Sequence, residues 1–132
     1  MKTIYYFTQN GRPAMLVEFF GIKFHVYFSD NEIVGVERQW YDVIPSAEAE
    51  EELKSISMDL NCFLNFFKNK NVYGHIYFDE DGETFQVNTW DNTVVFRRCK
   101  SLKEARVVLA CTGIEQEDHW GMTSPFMEVR CI

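Results

Sequence analysis

The chain has 132 residues, 46% of them hydrophobic and 25% charged, which is the globular norm and excludes disordered, collagen-like and fibrous classes. Twenty acidic residues against thirteen basic give a net charge of −7, a balance that disfavours a whole-chain grip on nucleic acid or anionic lipid. It suits a protein partner that is itself basic or nucleic-acid-binding. The length predicts a single globular domain over 1–132.

From Thr3 to Trp40, β-branched and aromatic residues alternate with polar ones, interrupted at Asn10-Gly11-Arg12-Pro13, at Gly21 and at Ser29-Asp30-Asn31. This predicts three or four antiparallel strands. In 22–28 the period of two assigns Ile22, Phe24, Val26 and Phe28 to the core face, and Lys23, His25 and Tyr27 to the other.

Pro45-Ser46 opens a predicted long helix over 46–69, with Ser46 as cap and Glu48, Glu50, Glu51 and Glu52 at the positive end of its dipole. Leu53, Ile56, Leu60, Phe63, Leu64 and Phe67 then recur at helical spacing. Three strands follow, Val72 to Phe78, Glu83 to Trp90 and Thr93 to Arg98, with turns at Asp81-Gly82 and Asp91-Asn92. A shorter helix starts at Ser101, where Ser101-Leu102-Lys103-Glu104 has the form of a capping box, and Gly113 is its expected stop. Phe126 to Cys131 is a last strand candidate. The expected class is α+β: a largely antiparallel sheet packed by one long and one short helix.

Charge is segregated along this order. Residues 71–96 hold five acids, Asp79, Glu80, Asp81, Glu83 and Asp91, and no base, whereas 97–113 hold five bases against Glu104. An acidic hairpin of this kind presents a concentrated negative patch to a cationic partner. His25 and His75 occupy matching positions in Val26-Tyr27-Phe28-like strands, with Tyr27, Tyr73 and Tyr77 on the same parity, and such rings suit interface cores. The expected partner-binding set is therefore Asp79, Glu80, Asp81, Glu83, Asp91, His25, Tyr27, Tyr73, His75 and Tyr77.

The four cysteines, Cys62, Cys99, Cys111 and Cys131, have no short paired spacing, and Cys99, Cys111, His119 and Cys131 lack the knuckle that preorganises zinc ligands. Phosphate-loop patterns are absent, and counted from Asp79 the glycine and glutamate positions of an EF-hand hold Thr84 and Trp90. No catalytic residue, metal or cofactor is expected. No apolar run approaches the roughly 20 residues of a membrane span, and the expected setting is a reducing cytoplasm with free thiols and no membrane contact.

The order from the 46–69 helix through three strands to Ser101-Leu102-Lys103-Glu104-Ala105-Arg106 resembles a double-stranded RNA-binding domain over about half the chain. That resemblance implies phosphate contact at the second helix start. Leu102 stands where a second lysine belongs, and Asp79-Glu80-Asp81-Gly82-Glu83 replaces the groove-entering loop with charges that phosphate repels. Direct nucleic-acid binding is not expected. Composition, in contrast, resembles the general profile of inhibitors encoded by phages and mobile elements, such as anti-CRISPR and anti-restriction proteins that imitate nucleic acid, and of toxin-immunity proteins. The expected function is a non-catalytic binding or inhibitor protein that engages a protein partner through an acidic, aromatic surface. The alternative is a small enzyme or ligand-binding domain with a His-containing pocket between sheet and long helix. Homo-oligomeric assembly is a third possibility, for which a large apolar interface is the sign.

Overall fold

The computed structural model describes residues 2–72, 74–89, 97–115, 124–125 and 129–131. It is an α+β protein in which contacts divide the chain into two compact units, Met1–Phe63 and Leu64–Ile132.

The first unit begins with an antiparallel meander of β1 (Lys2–Gln9), β2 (Arg12–Phe19), β3 (Ile22–Ser29) and β4 (Glu32–Arg38), paired in that order. Each hairpin closes through two residues of positive φ: Asn10 and Gly11 (52° and 75°), Phe20 and Gly21 (52° and 81°), Asp30 and Asn31 (50° and 65°). Two left-handed residues in succession give a tight turn whose twist matches that of the strands it joins, so the chain reverses without splaying the sheet. Asn, Asp and Gly accept this conformation readily. Phe20 does not, because its Cβ crowds the following carbonyl oxygen.

One face of the meander carries Met15, Val17, Phe19, Phe24, Val26 and Phe28, all buried. The rings of Phe19 and Phe24 stack on Phe63, at centroid distances of 4.8 and 4.7 Å. The helical stripe that supplies Phe63 is split between two short helices, α1 (Ala47–Leu53) and α2 (Leu60–Phe66), where periodicity predicts one long helix. The reason is local. The Ile56 N–H closes onto the Leu53 carbonyl as a tight turn, and Asp59 restarts the helix by accepting from the N–H of Cys62 through its side chain (2.8 Å) and of Phe63 through its backbone (3.1 Å). Ser55, Ser57 and Asp59 bond to nearby backbone more readily than they extend a helix. Met58, within the break, is still buried.

The opposite face of the meander is covered as well. Residues 39–46 run across it as a strap, tied at one end by the Gln39 N–H on the Lys23 carbonyl (3.0 Å) and at the other by the Ser46 N–H on the Tyr6 carbonyl (2.8 Å). Val43 of the strap packs with Phe7, Ala14 and Leu16. Ser46 then caps α1 by accepting from the Ala49 N–H, as its position in the sequence predicts.

In the second unit, β6 (Gly74–Phe78), β7 (Phe85–Thr89) and β8 (Arg97–Cys99) pair antiparallel, and β10 (Val129–Cys131) joins β6 in parallel, giving the order β10-β6-β7-β8. A separate pair joins β5 (Asn71–Val72) to β9 (Ser124–Pro125). The helix α3 (Leu102–Glu115) lies against β5, β6, β7 and β8 and buries Ala105, Val107, Leu109, Ala110 and Cys111. Its Ser101 side chain accepts from the Glu104 N–H at 3.1 Å, as the capping box requires. The helix runs through Gly113 rather than stopping there. Among the described residues, no helix is long and apolar enough to cross a membrane. The expected turn at Asp91-Asn92 and the stretches 93–96 and 126–128 lie outside the described residues.

Candidate functional site

Two groups of side chains stand out, one in each unit. The first is the loop between β6 and β7. Its backbone closes through the Asp79 N–H on the Thr84 carbonyl (2.9 Å) and the Gly82 N–H on the Asp79 carbonyl (3.0 Å), with Gly82 at a φ of 73°. Asp81 acts as the staple. One carboxylate oxygen accepts from the N–H groups of Glu83 (2.7 Å) and Thr84 (2.9 Å), and the other accepts from the Thr84 hydroxyl (2.7 Å). These bonds, the Glu83 N–H foremost, hold the Asp81 carboxyl below the usual aspartate range.

Asp79 is turned inward and is only 6% exposed. One of its carboxylate oxygens takes the side-chain amide of Gln86 (2.9 Å) and the Arg98 guanidinium (3.1 Å), and shares with Asp81 the single proton of the Thr84 hydroxyl (3.2 Å). The Gln86 bond leads in holding this carboxyl below its ordinary value, with Thr84 and Arg98 adding to it. Part of the basic run at 97–113 thus pairs with the acidic hairpin. Glu80, Asp81 and Glu83 are exposed, next to a partly exposed Phe78 whose ring lies 5.3 Å from that of Phe85.

The second group centres on Glu37. The meander places His25 and Glu37 opposite each other on β3 and β4. The Glu37 carboxylate accepts from the Tyr27 hydroxyl (2.5 Å) and contacts His25 Nδ1 (3.2 Å), and Trp40 hydrogen-bonds to it as well. Burial by itself pushes the Glu37 pKa up, but the bonds from Tyr27, His25 and Trp40 outweigh it and the net shift is downward. Partial burial first, and then the bond to the same carboxylate, drive the Tyr27 phenol far above its ordinary range, so it remains a neutral donor. Tyr41 extends the array from the strap: its hydroxyl donates to Gln9 (3.1 Å) and meets that of Tyr27 (3.2 Å), while its ring stands edge-on to His25 at 4.8 Å. His25 is wholly buried, and its Nε2 has no hydrogen-bond partner.

The expected partner-binding residues are distributed accordingly. Glu80, Asp81 and Glu83 share one exposed loop, and Asp79 belongs to its interior scaffold. His25 and Tyr27 sit in the first unit's sheet, His75 (5% exposed) and the half-buried Tyr77 in the second's, so β3 and β6 do not form one sheet face. Tyr73, Asp91 and His119 lie outside the described residues. Glu37, Trp40, Tyr41 and Gln9 were not legible as a group, because their meeting depends on the strap crossing the sheet. Among the described residues no three His, Cys, Asp or Glu side chains gather in a way that could hold a metal ion. Among the described residues, the open grooves of the first unit include those at Asn10, Asp30 and Leu53; at Phe7, Tyr41 and Glu48; and at Gln9, Arg12 and Tyr27. No histidine lines any of them.

The fold and these two groups define the chain as an α+β protein with a structured acidic loop. Comparison with protein-family models, with curated proteins and with solved structures finds no match.

Proposed function

We propose that this is a non-catalytic binding or inhibitor protein that engages a positively charged protein partner through an acidic, aromatic surface. The observation that supports it is the shape-fixed β6–β7 loop, in which Asp79 and Asp81 are consumed in holding the backbone while Glu80 and Glu83 stay exposed beside Phe78. Charges held on an ordered loop lose little conformational entropy when a partner docks, and like charges gathered there accelerate encounter with a cation. The partner class is a basic protein, including one that binds nucleic acid and whose cationic groove carboxylates can occupy in place of phosphate.

The test is capture of partners from the source cells on the immobilised chain at low and high salt, alongside Glu80→Gln/Glu83→Gln. Asp79 and Asp81 are left intact, because neutralising them dismantles the loop and confounds charge with shape. A partner retained at low salt, released at high salt and lost from the double variant supports the reading. Capture insensitive to both salt and substitution overturns it.

A further inference from the structure

The strap of the first unit carries two large apolar side chains in water. Trp40 is 75% exposed and Ile44 85%, while Val43 between them points into the cluster with Phe7 and Leu16. Scattered apolar residues on a surface need no explanation, but Trp40 also has partners on its own chain. Its side chain hydrogen-bonds to Glu37, and its ring meets Tyr41 edge-on at 4.6 Å. Tyr41 is fixed in turn by Gln9, Tyr27 and His25, and both ends of the strap are tied to sheet backbone. An exposed indole that already has partners on its own chain is the kind of side chain that dominates binding energy at interfaces, because those partners reduce the cost of ordering it on contact.

From the next strap residue, Tyr41, a groove of about 640 Å³ opens between the end of β1, the strap and the start of α1. Phe7 and Tyr41 contribute apolar wall, and Ile44 stands at its edge. Its charged lining residues are Asp42 and Glu48, both exposed; no lysine or arginine lines it. Glu50 and Glu52 of α1 add further exposed acids nearby in the chain. A nucleic acid is repelled by this lining, and a second copy of a chain of net charge −7 meets like charge. A cation flanked by an aliphatic residue complements it, the guanidinium of arginine best of all, since it pairs with carboxylates and stacks on indole.

We propose that Trp40, Ile44 and the groove edged by Asp42 and Glu48 form a docking surface for an extended, arginine-bearing peptide segment of a protein partner. The surface is carried by residues of the first unit and stands whether or not the β6–β7 loop is an interface.

The experiment uses the full chain and three short synthetic probes, repeating Arg-Ser-Leu, Arg-Ser-Ser and Glu-Ser-Leu. Affinity is measured by calorimetry at two salt concentrations, and the contact is mapped by NMR on the Trp40 indole and Ile44 methyl signals. The Arg-Ser-Leu peptide is expected to bind most tightly and to shift both signals. Trp40→Ala and Ile44→Ser each weaken it by about tenfold, as loss of an anchor does. Asp42→Asn/Glu48→Gln weakens it similarly and flattens the salt dependence, whereas Glu80→Gln/Glu83→Gln leaves the Trp40 and Ile44 shifts in place. Ile44→Ser and the Asp42/Glu48 pair lie at exposed positions, so they test the surface even if Trp40→Ala disturbs the strap. The proposal is overturned if Arg-Ser-Ser binds as tightly as Arg-Ser-Leu, if binding tracks Glu80 and Glu83 alone, or if the Ile44→Ser effect is instead the loss of self-association in sedimentation.

Discussion

Removing the Glu37 carboxylate tests the array that ties the strap to the sheet. In Glu37→Ala the buried His25 loses its Nδ1 partner while Nε2 already has none, leaving the ring unsatisfied in an apolar setting. An orphaned buried polar group costs about 1–3 kcal/mol. Tyr27 is only half-buried and retains Tyr41, so its loss adds roughly 0.5–1 kcal/mol. Because the Glu37 side chain is itself 34% exposed, water recovers part of the total, and the expected destabilisation is about 2–3 kcal/mol. Glu37→Gln keeps an acceptor oxygen and loses only the charge, and is expected to cost about 1 kcal/mol. Urea unfolding followed by far-UV circular dichroism measures both. The pH dependence supplies a second reading. The folded state holds Glu37 below its ordinary value, so its contribution is present above about pH 4.3 and is lost as pH falls through the folded value. The gap between the parent chain and Glu37→Gln therefore closes on acidification. A loss under roughly 0.5 kcal/mol in Glu37→Ala, or a gap that persists at low pH, refutes the role given to this carboxylate.

Phe63→Ala empties a fully buried site between Phe19 and Phe24 and is expected to cost about 3–5 kcal/mol in the same unfolding assay. Phe20→Asn relieves a bulky residue at a φ of 52° and is expected to stabilise by roughly 0.5–1 kcal/mol; an unchanged midpoint counts against strain in that turn. Ser101→Ala removes the cap of α3 and is expected to cost about 1 kcal/mol, with amide exchange accelerating first at Glu104.

The strands and turns of the first unit were legible because their signals are local. Alternation in 22–28 and the pairs Asn10-Gly11 and Asp30-Asn31 specify strands and turns through steric rules that act within a few residues. The caps at Ser46 and Ser101 were legible for the same reason. The split at Lys54–Asp59 had a signal too, in Ser55, Ser57 and Asp59, but the apolar stripe running through it from Leu53 to Leu60 masked it: helical spacing reports where side chains point, not whether the backbone between them stays helical.

The candidate sites depended on longer-range geometry. A turn at Asp30-Asn31 alone pairs Ser29 with Glu32 and Phe28 with Ile33, and continuing that register sets His25 against Val36. The register shifts by one residue between Tyr27 and Phe28, so His25 meets Glu37 instead, and a slip of one in a strand moves every later side chain to the other face. That single shift brings Glu37 to His25 and Tyr27. The sequence assigned His25 to the outer face correctly, but only the strap returning across that face buries it, and no local rule states where a connecting segment will lie. In the same way the composition of 79–83 announced an acidic turn, while tertiary contacts with Gln86 and Arg98 decided that Asp79 faces inward and that Glu80 and Glu83 are left to water.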